Sequence, residues 1–345
     1  MNRYLKNLIL TISVLPPFIQ LASQKLYYDA FNNIEKMLSG TETLSFQKAI
    51  FVTENAYLDN SLDYNAFNNI INSYSIICKS IINSGNILYP ESDKAEASAQ
   101  CAVFLFMTDS IPINVNGETI IHTPFEYNFD DFAGQKEWSS MFVSTLMETK
   151  KGNCHSMPLL YKMIMDELGY ESHLALAPNH MYIKANNKRV GWYNIELTNG
   201  NFPTDAWLTT SGYIHTDAIR NGIYMKPLSE KESIAFCLID LAQGYQVKFG
   251  IQDGSFILTC CELAMEYYPN YINALLLLGE TLTELYKKSE HNKNLFVQMN
   301  DIYTIIHDLG YRKMPQSMYM NWLSSMGLQE TNYRMKSLIY NQDDL

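Results

Sequence analysis

The chain has 345 residues, of which 47% are hydrophobic and 18% are charged, a composition that excludes an intrinsically disordered chain and predicts two or three globular domains. A formal net charge of −11, with no basic patch, argues against a nucleic-acid partner, because phosphate binding requires clustered lysine and arginine. The six cysteines are irregularly spaced and form no disulfide framework, and no cysteine or histidine spacing indicates zinc. We therefore expect no metal and no cofactor.

The first 23 residues have the order of a secretory signal peptide. Arg3 and Lys6 precede an apolar run over residues 8–14, and small residues at 22–23 offer a cleavage site. Leu21 stands at the position before that site where a small residue is usual. We expect export to the periplasm or the cell exterior, and the alternative is a cytoplasmic protein that begins with an amphipathic helix. The run is too short for a stable membrane span.

Residues 24–110 are predicted to form a helical N-terminal region, and the pattern changes at residue 111. There Asn116-Gly117 separates segments 112–115 and 119–121, which predicts a small hairpin. This hairpin marks the start of a mixed core that we assign to residues 111–228. Further along the core, a helix is predicted over residues 139–149.

The loop after that helix predicts a site for a nucleophile. Gly152-Asn153 is typical of a tight turn, and Pro158 is tolerated only in the first turn of a helix. Apolar residues then recur at helical spacing, and Gly169 stands where a left-handed C-cap is expected. Cys154 is therefore expected at a helix N-terminus, where the macrodipole favours a thiolate and free N–H groups can stabilise an oxyanion.

A base and an orienting group follow on two predicted strands, residues 180–185 and 190–197, joined through the turn 186–189. His180 opens the first strand. If residues 185 and 190 pair, His180 faces residue 195, and a shift of one residue brings it opposite Asn194 or Glu196. These two residues share a face of the sheet, so either can reach the imidazole. Both remain open at this point.

Other residues near the loop have weaker claims. His155 adjoins the cysteine, but neighbouring residues on a helix point in directions about 100° apart, so we expect it to be non-catalytic. Asp205 lies beyond a turn and is a weaker rival for the acid. Gln135 and Trp138 are candidates to line the oxyanion site, with Trp138 more simply explained as a core residue. The remaining cysteines are expected to be small buried apolar residues: Cys78, Cys101, Cys237, Cys260 and Cys261.

The segments Gly-Asn-Cys-His-Ser-Met-Pro, Ala-Pro-Asn-His-Met-Tyr-Ile and Trp-Tyr-Asn-Ile-Glu together resemble the transglutaminase-like superfamily, which includes the SirB1-type proteins. The match covers residues 135–205. The resemblance implies an α+β, papain-like fold in which a cysteine-bearing helix packs on an antiparallel sheet, here flanked by helical regions. It implies Cys154 as nucleophile and His180 as base. Glu196, four residues after Trp192, stands where the family has aspartate, and Asn194 offers the papain-style amide.

Residues 229–345 are predicted to be helical and resemble tetratricopeptide repeats. The spacing of Ala264, Pro269 and Gly279 matches a repeat junction, in which the proline closes one helix pair and the glycine allows close packing. Residues 314–327 are a further amphipathic candidate. SirB1-type proteins often carry such repeats, which offer concave surfaces to peptides or proteins. The alternative is that these helices only buttress the core.

These features predict a thiol-dependent acyl-transfer enzyme acting on a peptide or protein substrate. Hydrolysis is the default outcome, because water is the acceptor unless the site excludes it, and transfer to an amine is the other. The alternative from a different class is a catalytically inactive transglutaminase-like fold that binds a protein partner through its helical repeats. The reactivity of the thiol distinguishes the two.

Overall fold

The computed structural model describes residues 17–115, 118–315 and 317–319, and it is a mixed α+β structure. Four helices come first, at Pro17–Leu38 (α1), Phe46–Tyr57 (α2), Tyr64–Asn83 (α3) and Lys94–Thr108 (α4). The middle of the chain contains Ile111–Val115 (β1), Glu118–His122 (β2), Glu126–Tyr127 (β3), a 3-10 helix Trp138–Met141, Val143–Thr149 (α5), Lys151–Gly152 (β4), Ser156–Leu168 (α6), His173–Ala177 (β5), His180–Asn187 (β6), Gly191–Ile195 (β7), Asp205–Ser211 (α7) and Thr216–Arg220 (α8). Four helices follow, at Glu230–Phe249 (α9), Ser255–Tyr267 (α10), Ile272–Lys288 (α11) and Lys293–Asp308 (α12).

The antiparallel sheet β5-β6-β7 has a different register from the predicted one. Residue 185 pairs with Tyr193 instead of residue 190, and Asn187 pairs with Gly191. The turn occupies residues 188–190, because the Asn187 Oδ1 accepts hydrogen bonds from the N–H groups of Arg189 (3.1 Å) and Val190 (3.0 Å). An asparagine side chain that closes its own turn in this way fixes where the strands end. The predicted register is therefore wrong, although both strands are present.

Helix α6 lies between this sheet and the helices α3 and α4. The predicted C-cap is confirmed, since Gly169 has φ +82° and its N–H donates to the carbonyl of Asp166. Nearly every side chain from Ser156 to Met165 is buried, which is typical of a helix enclosed on all sides. A buried hydrogen bond from the Tyr161 hydroxyl to the Gln100 carbonyl (3.0 Å) joins α6 to α4.

The helix predicted over residues 139–149 is divided in two. The 3-10 helix ends before Phe142, which is extended (φ −88°, ψ 146°), and α5 begins at Val143. The cause is the buried carboxylate of Glu54 on α2, which accepts hydrogen bonds from the N–H groups of Val143 (2.6 Å) and Ser144 (3.0 Å). These are the unpaired donors of a new helix N-terminus, so Glu54 caps α5 from a distant part of the chain.

The helices at the two ends of the chain pack against each other. Helices α1 and α2 contact α9, and α9 to α12 follow as successive neighbouring pairs. A Cβ on Gly279 would lie 3.3 Å from the Tyr303 ring and 3.4 Å from Ile302, so this glycine does allow close packing between α11 and α12. The tetratricopeptide assignment and the division of the chain into four segments stay predictions.

Four further sequence predictions concern the hairpin, the signal segment, a membrane span and the amphipathic segment at residues 314–327. The hairpin β1-β2 is present, with Val115 paired with Glu118. The predicted signal segment falls mostly outside the described residues, and its last part begins α1, where the buried Ser23 hydroxyl donates to Asp59 (2.5 Å). In the portion of the chain that the structure describes, no helix has the length and apolar composition needed to cross a membrane. Most of the amphipathic candidate at 314–327 lies outside those residues.

Candidate functional site

Cys154 lies two residues before the start of α6, so it is at the N-terminus of a helix, as the sequence predicts. Asn153 closes the turn that leads into α6, because its Oδ1 accepts hydrogen bonds from the N–H groups of His155 and Ser156, both at 3.0 Å. Its carbonyl accepts from the N–H of Met157 (3.1 Å), which starts the helical hydrogen bonds. Cys154 therefore occupies a position whose own N–H has no acceptor within the helix.

Gly152 suits this loop because a side chain here would force the side chains of Leu146 and Ser156 to shift. A Cβ at this position would come to 2.7 Å from Leu146 Cδ1 and 2.8 Å from Ser156 Oγ. The strand β4 that contains Gly152 runs parallel to β3 and pairs Tyr127 with Gly152. The loop is therefore fixed on one side by the Asn153 turn and on the other by a strand.

His180 and Glu196 form a buried pair. The Nε2 of His180 lies 2.5 Å from the Oε2 of Glu196, and each side chain is 1% exposed. The other carboxylate oxygen, Oε1, accepts hydrogen bonds from the N–H (3.0 Å) and hydroxyl (2.7 Å) of Thr198. The backbone of Glu196 is paired with that of Asn201 by two hydrogen bonds. The carboxylate is thus held at both oxygens.

The thiol of Cys154 completes the group through a hydrogen bond with His180. Burial of the imidazole alone would lower the pKa of His180, but the charge of Glu196 and the hydrogen bonds with Cys154 and Glu196 outweigh burial and raise the pKa to about 10. The imidazole is therefore protonated at neutral pH. Burial raises the pKa of the thiols elsewhere, to about 12 for Cys101 and Cys261.

The other two candidates for the acid are engaged elsewhere. The Nδ2 of Asn194 donates to Asp205 Oδ1 (2.7 Å) and to the Pro203 carbonyl (2.9 Å). Asp205 also pairs with Lys184 at 3.1 Å. Asn194 is opposite Lys184 in the sheet, so it shares the face of His180 but lies farther along it. The structure therefore brings Cys154, His180 and Glu196 together and leaves Asn194 outside that group.

Of the two oxyanion candidates, Gln135 lies in the loop before the 3-10 helix and Trp138 is the first residue of that helix. Gln135 is exposed. Trp138 is half-buried, and its indole nitrogen would lie 3.4 Å from a Cβ on Gly244 of α9. This position favours a packing role for the tryptophan.

Three residues near the thiol were not predicted to matter. His155 Nδ1 hydrogen-bonds with the carbonyl of Met141 (3.0 Å), and its Nε2 pairs with Asp240 of α9 (3.0 Å). Burial would lower the pKa of His155, but Asp240 raises it to about 9. Burial first and then the charge at Cys154 raise the pKa values of Tyr127 and Tyr319, so both phenols lie near the thiol. The pairing of residue 127 with 152 was not visible in the sequence, because two-residue strands carry no periodicity.

A cavity of about 990 Å³ lies elsewhere on the molecule. It is lined by side chains of both charges together with His173 and Trp192, and it includes none of Cys154, His180 and Glu196.

Within residues 17–115, 118–315 and 317–319, no cluster of three or more His, Cys, Asp or Glu residues could hold a metal ion. The chemistry of the site is that of a thiol, an imidazole and a carboxylate, which together can transfer an acyl group.

Comparisons with known proteins add little to this geometry. No protein-family model matches the sequence, and no curated protein matches it. A solved structure that is similar is the crystal structure of menin, described as revealing the binding site for the Mixed Lineage Leukemia protein. The similarity covers 92% of this chain and 90% of menin at 11% identity and a TM-score of 0.33, a value too low to carry an argument.

Proposed function

We propose that this protein is a thiol-dependent acyl-transfer enzyme, built on a transglutaminase-like core, that hydrolyses a peptide or amide bond. The observation that carries the proposal is the buried arrangement of Cys154, His180 and Glu196 at a helix N-terminus. Burying a histidine and a carboxylate together is costly, and a fold that acts only as a scaffold has no need of such a pair beside a thiol.

The roles follow from the hydrogen bonds. Cys154 Sγ attacks the carbonyl carbon of the substrate, and the carbonyl electrons move onto its oxygen. His180 then gives its proton to the leaving amine as the C–N bond breaks, which leaves an acyl-thioester on the cysteine. Water attacks the thioester with His180 as base and releases the acid. Glu196 holds the imidazole in place and stabilises its positive charge.

The fold around these residues supports the proposed core. The helix that follows Cys154 packs on the antiparallel sheet that carries His180 on β6, and Glu196 follows β7. The three residues occur in the order that the resemblance implies, with glutamate in the place of aspartate. The longer carboxylate is accommodated because Thr198 binds its second oxygen.

The test is the pH dependence of Cys154 alkylation by iodoacetamide in the parent protein and in His180→Ala, with Cys154→Ala to identify the labelled residue. We expect rapid labelling of the parent well below pH 8.5, the ordinary pKa of a thiol, and a shift of the variant to near that value. The other cysteines are more deeply buried than Cys154, at 0% to 6% exposed against 9%, and the Cys154→Ala variant measures their background labelling. Slow labelling that rises near pH 8.5 alike in both proteins would overturn the proposal.

The second candidate is a protein-interaction module. Helix α12 exposes four large apolar side chains, those of Phe296, Val297, Tyr303 and Ile305, and exposed apolar groups on one helix favour a partner surface. If Cys154 is alkylated slowly and alike in the parent and in His180→Ala, the interaction module becomes the better interpretation.

A further inference from the structure

The position of Tyr127 beside the nucleophile is fixed by the backbone. Strand β3 pairs Tyr127 with Gly152, two residues before the thiol, and the N–H of Asn128 donates to the Gly152 carbonyl (2.7 Å). The ring of Tyr127 packs edge-on against Phe129 at a centroid distance of 4.8 Å and lies nearly parallel to Phe132 at 6.4 Å. The side chain is therefore anchored at both the backbone and the ring.

The hydroxyl of Tyr127 is buried without a hydrogen-bond partner among the residues that the structure describes. A buried phenol that makes no hydrogen bond is unfavourable, and such a group near a reactive centre calls for an explanation. The Tyr161 hydroxyl, by comparison, is also buried and donates to a backbone carbonyl. A donor at Tyr127 is thus available to an acceptor that arrives with the substrate.

Burial, together with the charges around Tyr127, keeps its hydroxyl protonated and able to donate a hydrogen bond. Burial, followed by the charges at Cys154, Tyr319 and Glu196, raises the pKa of Tyr127 well above its usual value, so the phenol keeps its proton throughout the neutral range. The pairing of Tyr127 with Gly152 places this residue beside the cysteine loop, and the charge at Cys154 is the largest of the charges that act on it. A protonated phenol beside a developing anion stabilises it without any reorganisation.

We propose that Tyr127 is a catalytic residue that donates a hydrogen bond to the oxyanion formed when Cys154 attacks a carbonyl, together with the N–H of Cys154. This inference rests on the acyl-transfer function proposed above. The C–S bond forms, the carbonyl π electrons move to oxygen, and that oxygen accepts the hydrogen bond from the Tyr127 hydroxyl. When the intermediate collapses, the electrons return and the leaving group departs, so the phenol ends the step with its proton.

The experiment compares two reactions of the same thiol. Acylation by p-nitrophenyl acetate passes through a tetrahedral oxyanion and expels p-nitrophenolate, whereas alkylation by iodoacetamide is a direct displacement with no oxyanion. We expect Tyr127→Phe to slow the acylation burst by about 100-fold, the effect of losing one oxyanion donor, and to leave alkylation within roughly twofold of the parent. Both rates are measured at the same pH on the full chain.

Two matched variants complete the design. Tyr27→Phe removes another buried hydroxyl without a described partner, in the core between α1 and α9, and both reactions should be unchanged. Tyr319→Phe tests the other phenol near the thiol.

Parent-like acylation by Tyr127→Phe would overturn the inference, and so would an equal loss of acylation and alkylation, which would indicate a role in positioning the thiol. Loss of acylation only in Tyr319→Phe would assign the donor to that residue. A parent that alkylates as an ordinary thiol and shows no burst would overturn the proposed function and the role of Tyr127 with it.

Discussion

Which carboxylate or amide side chain pairs with His180 depends on Asn187, at the far end of the same strand. The sequence predicts correctly that Asn194 and Glu196 lie on the same face of the sheet as His180, because side chains alternate along strands. Which of them reaches the imidazole depends on the register, and the register depends on how Asn187 closes the turn. That choice involves hydrogen bonds of a side chain to its neighbouring backbone, which a pattern of hydrophobic residues does not encode.

Glu196→Gln tests the assignment of the acid. The neutral amide cannot stabilise the imidazolium, so the pKa of His180 should fall and the thiolate should become less populated. We expect Cys154 alkylation at pH 6 to slow by about 10-fold or more, the change that would accompany a fall of one unit in the pKa of His180. The pH profile of iodoacetamide labelling measures this shift.

The control is Asn194→Ala, which removes the other candidate. Its amide binds Asp205 and the Pro203 carbonyl, so the alkylation profile should remain that of the parent. A shift caused by Asn194→Ala, with none caused by Glu196→Gln, would contradict the triad described here.

At the scale of the elements, the ends of α6 were predictable and the start of α5 was not. Gly152, Asn153 and Gly169 act on residues within a few positions, so local rules apply to them. Glu54 instead caps α5 across 89 positions in sequence, and nothing near residue 142 predicts an interruption. The ion pair of His155 was not predicted for the same reason, since its partner Asp240 belongs to α9.

Asp240→Asn is expected to destabilise the protein in a pH-dependent way. The pKa of His155 is raised in the folded state to about 9, above an unfolded value near 6.5, so its contribution is fully present below about pH 6.5 and is lost as the pH rises towards 9. We expect the variant to lower the free energy of unfolding by about 2 kcal/mol at pH 6 and by less at pH 9. Denaturant unfolding at both pH values measures the difference.

Asp217→Asn is the matched control for that prediction. Asp217 also pairs with a histidine, His215, at 3.2 Å, but both side chains are exposed. The substitution should therefore change the free energy of unfolding by less than about 0.5 kcal/mol at either pH. Equal effects of the two substitutions would show that the buried pair does not secure the loop.

At the scale of the whole molecule, the first and last helices share one core. Tyr27 of α1 packs edge-on against Tyr245 (5.4 Å between centroids) and Phe249 (5.6 Å) of α9 and against Phe256 (6.1 Å) of α10. The sequence predicts helices at both ends but cannot predict that they meet, because contacts between distant segments leave no local periodicity.

This shared core predicts cooperative unfolding. Phe256→Ala should lower the free energy of unfolding by about 3 to 5 kcal/mol, because it removes a buried ring. Buried cysteines at both ends, Cys78 on α3 and Cys260 on α10, should become reactive at the same denaturant concentration as the loss of circular dichroism.

The control is Phe296→Ala, which truncates an exposed ring on α12 and should change the stability by less than about 1 kcal/mol. Exposure of Cys260 at a lower denaturant concentration than Cys78 would contradict a single cooperative unit.

Because α9 holds His155 and also covers α1 and α2, the order of synthesis on the ribosome matters. The first helices emerge roughly 200 residues before α9 is complete, an interval of about 10 to 40 s at ordinary elongation rates. During that time the apolar face of α1 has no native neighbour, and holding chaperones are expected to bind it. The nascent chain also lacks the acid until residue 196 has been added, and it lacks the last support of the cysteine loop until α9 is complete. The site therefore cannot be fully assembled before roughly 70% of the chain has been made.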